Sequence, residues 1–197
     1  MEYSAGMVTR LFWLSETRRT AELLVEGIDK ATIKKMAIQD NLFQVKTRER
    51  AVRIVGMVLR RLESLPDCLI SFICRGDIAT AKLLILISII KTDRLFFEFV
   101  YEVHRQAIVI GENIITDRDV NQFFENKIAQ SETVAKWTGD SIKKLKQCYI
   151  KMLTEGGVLS NVKGERKIII PPIDYKTRQL LEENKLSVYL NALTGEE

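Results

Sequence analysis

The residues of this 197-residue chain whose types and spacing could do chemistry are cationic, and they fall into two blocks. On a helical wheel of residues 141–154, Lys143, Lys144, Gln147, Lys151 and Thr154 share one face, and Ile142, Leu145, Tyr149, Met152 and Leu153 share the other. Lysines at that spacing can neutralise phosphates, and one amide among them can pair with a base edge such as adenine's. Lys163, Arg166 and Lys167 follow around a Gly164 turn and extend the basic surface. The second block holds Lys46, Arg48, Arg50, Arg53, Arg60 and Arg61. There Ala51, Ile54, Val55, Val58 and Leu62 form an apolar face, with Glu49, Arg53, Gly56 and Arg60 opposite and Arg50 and Arg61 on a flank. A glycine inside a helix costs ~1 kcal/mol against alanine. Gly56 between two arginines would let a phosphate backbone come close, although tolerance of glycine on an exposed face is the simpler reading.

The net charge of +4 conceals a segregation along the chain. Residues 1–29 carry −2, 30–61 carry +7, 62–130 carry −3, 131–170 carry +4 and 171–197 carry −2. Two basic blocks separated by an acidic, apolar middle are the electrostatic pattern of a polyanion binder. Either block alone could equally be a solvated face.

Catalysis has little to rest on. The chain has no GxxxxGK[ST] and no GxGxxG. With one histidine, His104, a His/Cys zinc site of ordinary four-ligand spacing is out of reach. Cys68, Cys74 and Cys148 follow no recognisable spacing and suggest a reducing compartment. Ser141 and Lys144 match an SxxK pattern in letters, without the motifs that accompany it. Glu98 and Glu102 lie one helical turn apart, but Arg94 and Arg105 at neighbouring turns make them ordinary ion-pair partners. His104 is expected at the surface or an interface. No enzyme activity, cofactor or metal is expected.

These residues must be positioned by helices. Ser15 is expected to cap a helix running to Glu26, Asp29 a second to about Asn41, and Thr47 a third to Glu63. Pro66-Asp67 start a short helix to Arg75. Ile78–Arg105 then forms an apolar helical hairpin, kinked or recapped at Thr92-Asp93. Its run from Leu83 to Ile90 falls far short of the ~20 residues of a membrane span and reads as core. Residues 106–115 form a linker or short strand. Thr116 with Asp119 makes a capping box for a helix that turns Val120, Phe123, Phe124 and Ile128 inward. A short helix at 131–136 follows, then a longer one from Asp140 or Ser141 to Glu155. Residues 158–162 and 166–170 read as a β-hairpin around Lys163-Gly164-Glu165, and 174–193 as one or two amphipathic helices. Three helices and a hairpin are the order of a winged helix-turn-helix. The expected fold class is therefore mainly α: a helix-turn-helix-like domain over 1–110, a winged helix with a β-hairpin wing over 111–173, and a helical tail over 174–197. No apolar leader opens the chain, so a soluble cytoplasmic protein is expected.

Several stretches resemble the BrxA family, small proteins of BREX (bacteriophage exclusion) loci in bacteria and archaea. They are YSAG (3–6), LFW with ETRRTAELL (11–24), NLFQ (41–44), KTDRLFFEFVYEVHR (91–105) and IKKLKQCYIKML (142–153). The resemblance implies an all-helical DNA-binding accessory protein, likened to the antitermination factor NusB, working beside a methyltransferase and other defence components. The family has also carried an inner-membrane label, against which the shortness of Leu83–Ile90 stands. The function expected is non-enzymatic binding of double-stranded DNA in phage defence, with other BREX proteins as partners and no membrane. Binding of RNA, as the NusB likeness suggests, and a protein-only scaffold are the alternatives.

Overall fold

The computed structural model describes Glu2–Glu196 and divides the chain into two compact units, mainly helical with one two-stranded antiparallel sheet. One unit is Phe12–Thr92; the other joins the residues up to Leu11 to those from Asp93 onward. The division falls between Thr92 and Asp93, inside the apolar hairpin.

The 12–92 unit contains α1 (Leu14–Val25), α2 (Lys30–Gln39), α3 (Arg48–Glu63), α4 (Asp67–Arg75) and α5 (Ile78–Thr92). Two starts follow their caps: Asp29 accepts the Ala31 and Thr32 amides at 2.9 and 3.0 Å, and Thr47 accepts that of Arg50 at 3.3 Å. Ser15 is not a cap. It lies within α1, whose entry is set by buried Trp13 in a left-handed conformation (φ 55°) with no side-chain cap. That conformation is rare for a bulky residue. α5 is buried on nearly every side, from Leu83 through Ile90, because α1, α3 and α4 all pack on it. Its polar Ser88 is satisfied locally by the Ile85 carbonyl at 2.6 Å. A second apolar cluster of Leu23, Ile33, Ala37, Val55 and Leu59 joins α1, α2 and α3. Among the described residues no helix is long and apolar enough to cross a membrane.

The other unit opens with a 3₁₀ turn, Ala5–Thr9, which packs on α10 (Gly139–Glu155). Asp93 caps α6 (Arg94–Phe99) by accepting the Phe96 amide at 3.1 Å. A π-helical turn, Val100–Arg105, and α7 (Gln106–Val109) continue it. β1 (Ile114–Thr116), α8 (Asp117–Gln130) and α9 (Glu132–Ala135) precede α10, and β2 (Glu165–Lys167), α11 (Tyr175–Glu183) and α12 (Ser187–Thr194) follow it. The Thr116–Asp119 capping box is present, and Ser131 caps α9. α10 starts slightly before expectation because Thr138 supplies the cap, accepting the Ser141 amide at 3.2 Å. The core is aromatic: Tyr149 of α10 meets Phe96, Phe99 and Phe124 at ring-centroid distances of 4.9, 5.3 and 5.5 Å.

The expected hairpin over 158–170 is reduced. One bridge, Leu159 to Ile168, and two backbone bonds, Ser160 N–H to Lys167 O at 2.8 Å and Ile169 N–H to Val158 O at 3.0 Å, remain of it. β2 takes its main partner from far away in sequence, pairing Ile114 with Lys167, Ile115 with Arg166 and Thr116 with Glu165.

Candidate nucleic-acid interface

α10 buries Leu145, Cys148, Tyr149, Met152 and Leu153. The helical period therefore turns Lys143, Gln147 and Lys151, spaced four residues apart, away from the core. They line a cleft of about 590 Å³ whose other walls are Val120 and Asn121 of α8 and Asn161 and Arg166 beyond α10. Lys146 joins them, donating to Asn121 Oδ1 at 2.7 Å with its ammonium 5.7 Å from the Phe124 ring centroid. Lys144 is exposed but lies outside the lining of the cleft. The cleft also contains Asp117 and Glu155. Glu155 stands 3.7 Å from Lys151, both ends well exposed, and such a pair holds the lysine weakly.

The residues after α10 divide by strand alternation. Glu165 and Lys167 are exposed, whereas Arg166 is half-buried opposite Ile115. Its guanidinium stands 2.8 Å from Asp117 Oδ1, so Arg166 braces the cleft wall and is not a freely exposed cation. Lys163 is exposed in the turn at Gly164, which adopts φ +92°, the left-handed region that favours glycine.

In the 12–92 unit, Lys46, Arg48, Arg50, Arg53 and Arg60 are exposed as expected. A Cβ added at Gly56 would meet nothing within 4 Å, so internal packing does not demand glycine there. Arg61 is a correction. It is 1% exposed, donates to the Phe12 carbonyl at 3.3 Å and lies over the Trp13 ring at 5.5 Å from its centroid, so it cannot reach a nucleic acid. A flank position on the wheel, next to Val58 and Leu62, had room for a buried guanidinium as well as an exposed one.

Two further corrections concern charged and titratable groups. Lys127, not Ile128, turns inward from α8; its ammonium lies 2.7 Å from Glu98 and 2.6 Å from Glu102, and Ile128 is exposed. Glu98 also takes Arg94 at 2.8 Å and the Tyr3 hydroxyl at 2.7 Å, so the expected Arg94–Glu98 pair forms. Glu102 pairs with Lys127, while Arg105 donates to the Glu196 carbonyl at 3.0 Å. Burial alone would raise the Glu98 carboxyl, but hydrogen bonds from Lys127, Tyr3 and Arg94 outweigh it and hold it below its usual range. Burial would likewise lower Lys127, and its two carboxylates raise it instead. A cation serving two carboxylates on a packed wall is a brace. His104, expected at the surface, is fully buried in the π-helical turn, its ring nitrogens 3.4 Å from the Ala192 and Val158 carbonyls. Burial pushes its pKa down and favours the neutral ring. Among the described residues no group of three or more His, Cys, Asp or Glu is placed to hold a metal ion.

The wheel overlooked Lys146, although its place three residues after Lys143 puts it on the same side of the helix. Asn121 and Asn161 carried no local signal, since α8 and the segment after α10 meet α10 only in the folded unit.

The fold has a counterpart among solved structures. A solved structure, the crystal structure of an uncharacterized protein from Magnetospirillum magneticum, superposes with a TM-score of 0.83 over 99% of this chain and 100% of that one. At 21% identity it shares the fold. The BREX protein BrxA of Bacillus cereus (strain H3081.97) is 42% identical over 194 residues, 98% of this chain and 97% of that protein. The BrxA family description matches residues 1–185, which take in the whole 12–92 unit and the other unit as far as α11, and with it the chain belongs to the BrxA family.

Proposed function

We propose that the protein is a non-enzymatic accessory protein of a BREX phage-defence system that binds double-stranded DNA through phosphate contacts. The observation that carries this reading is the α10 cleft, where Lys143, Lys146 and Lys151 surround the Gln147 amide on the side opposite the core. Cations at that spacing neutralise successive phosphates, and the amide is the group able to distinguish bases. The succession α8, α9, α10 and the bridged segment 158–168 supports a winged-helix arrangement, with Lys163 and Lys167 on the wing. Lys46, Arg48, Arg50, Arg53 and Arg60 are a second set of contacts on the other unit.

Counterion release gives the test. Duplex affinity falls with salt along a log–log slope of about −0.9 per phosphate neutralised. About three phosphates for each set give a slope near −5 on that relation, and a slope shallower than about −2 overturns joint engagement of the backbone. Titrations against single strands and RNA in the same buffers decide the polymer. Equal or tighter binding of RNA overturns the duplex assignment.

A further inference from the structure

On the far side of α8 from the cationic cleft lies a groove of opposite character. Val103, Ala107, Ile110, Ile114 and Phe123 give it an apolar surface, and Glu102, Glu112 and Asp119 stand along it. No lysine or arginine lines it. Asp119 accepts the Thr116 amide and hydroxyl at 2.8 and 2.7 Å, neutral donors that leave its charge in place. Glu102 faces Lys127, and among the described residues Glu112 has no ion-pair partner. Ile110 and Ile114 are large apolar residues left exposed, at 57% and 36%. The groove encloses about 270 Å³, below the ~300–1,000 Å³ of clefts that enclose small molecules, so it suits anchor side chains of a larger partner.

From the exposed Ile110 and Ile114 beside Glu112 and Asp119, with no lysine or arginine in the groove's own lining, we infer that the α7–α8 groove docks a second, different protein through a cationic amphipathic segment. The partner's apolar side chains sit against Ile110 and Ile114, and its Lys or Arg side chains face Glu112 and Asp119. Nucleic acid is excluded by like charge. This inference stands apart from the DNA reading: it uses the opposite wall of α8 and none of the cations of the cleft.

The test uses the full chain, isotope-labelled at isoleucine and valine methyls, and two short synthetic helical peptides, one of leucine and arginine and one of leucine and glutamate. The Leu/Arg peptide is expected to shift the Val103, Ile110 and Ile114 methyls, and the Leu/Glu peptide to leave them unchanged. Glu112→Lys with Ile110→Ser, both at exposed positions, should weaken the Leu/Arg peptide at least about tenfold, a loss of ~1.4 kcal/mol. Equal binding of the two peptides, shifts confined to other methyls, or undiminished binding by the variant overturns the inference. Sedimentation decides the remaining occupant. Concentration-dependent self-association abolished by the same variant would make the occupant a second copy of this chain and overturn a separate partner.

Discussion

α8 separates two surfaces that share a wall and little else. Its Val120 and Asn121 face a cleft of about 590 Å³ with Lys143, Lys146, Lys151 and Arg166. Its Asp119, Gln122, Phe123 and Asn126 face a groove of about 270 Å³ with Glu102 and Glu112. A helix turns 100° per residue, so neighbours such as Asp119 and Asn121 belong to different chemical settings. The comparison teaches that charge segregation along the chain becomes segregation in space when a helix stands between an acidic and a basic segment. Residues 62–130 carry −3 and residues 131–170 carry +4, and the partition between them in this unit is α8.

The largest expected effect comes from loosening that wall. Lys127→Ala removes the cation that Glu98 and Glu102 share; breaking a buried pair from one side costs ~3–5 kcal/mol, and with Glu102 half-exposed the loss here is expected at the low end, ~3 kcal/mol. Chemical denaturation should register the loss, and a stable Lys127→Ala protein would show that α8 does not depend on this brace. Next comes the cleft. Charge reversal of Lys143, Lys146 and Lys151 to Glu should weaken duplex DNA by roughly 100-fold at low salt and flatten the salt slope by ~3. Charge reversal of Arg50, Arg53 and Arg60 should weaken it comparably if both units bind the same duplex. The groove variant Glu112→Lys should leave duplex affinity unchanged or slightly raised. If Glu112→Lys weakens DNA as much as the lysine variant does, the two surfaces are not chemically distinct.

Gln147→Ala is a finer probe. It leaves charge and salt slope intact and should lower discrimination between duplexes by ~1–3 kcal/mol, measured by competition with a scrambled sequence. The smallest effect concerns His104. Burial lowers its folded-state pKa, so the unfolded chain takes up a proton first as pH drops below the ordinary value of 6.5. Its contribution to stability is therefore present above that pH and declines below it. A His104→Gln protein should show a flatter dependence of Tm on pH between about 7 and 5, and an unchanged slope would remove His104 from the account.

What could be read from the sequence was local. Asp29, Thr47, Asp93 and the Thr116–Asp119 box act on amides two or three residues away, so their spacing carries the information. The stripe at Lys143, Gln147 and Lys151 was legible for the same reason, since α10 obeys a simple helical period. Arg61 was misread and Lys127 passed over in favour of Ile128 because a long cationic side chain beside an apolar stripe can be buried when a carbonyl, an aromatic face or a carboxylate waits for it. Those partners, Phe12, Trp13 and Glu98, lie 25 or more residues away. Pairing of β2 with β1 was hidden likewise, because a turn signal at Lys163-Gly164 points to the nearest strand and says nothing of Ile114. The groove carried no periodic signal, being assembled from the π-helical turn, α7, β1 and α8.

The return of residues 5–9 to pack on α10 has a consequence in time. During synthesis residues 5–9 emerge well before the helix they pack on, which ends at Glu155. At ~5–20 residues per second, the turn waits on the order of ten seconds for its partner, while the whole 12–92 unit emerges and can fold in the interval. The continuous unit can thus mature before the discontinuous one is able to close. Cys148, whose thiol donates to the Met7 carbonyl at 3.2 Å once the turn is seated, marks that closure. Its protection from alkylation during synthesis would report when the unit that carries both the cleft and the groove becomes whole.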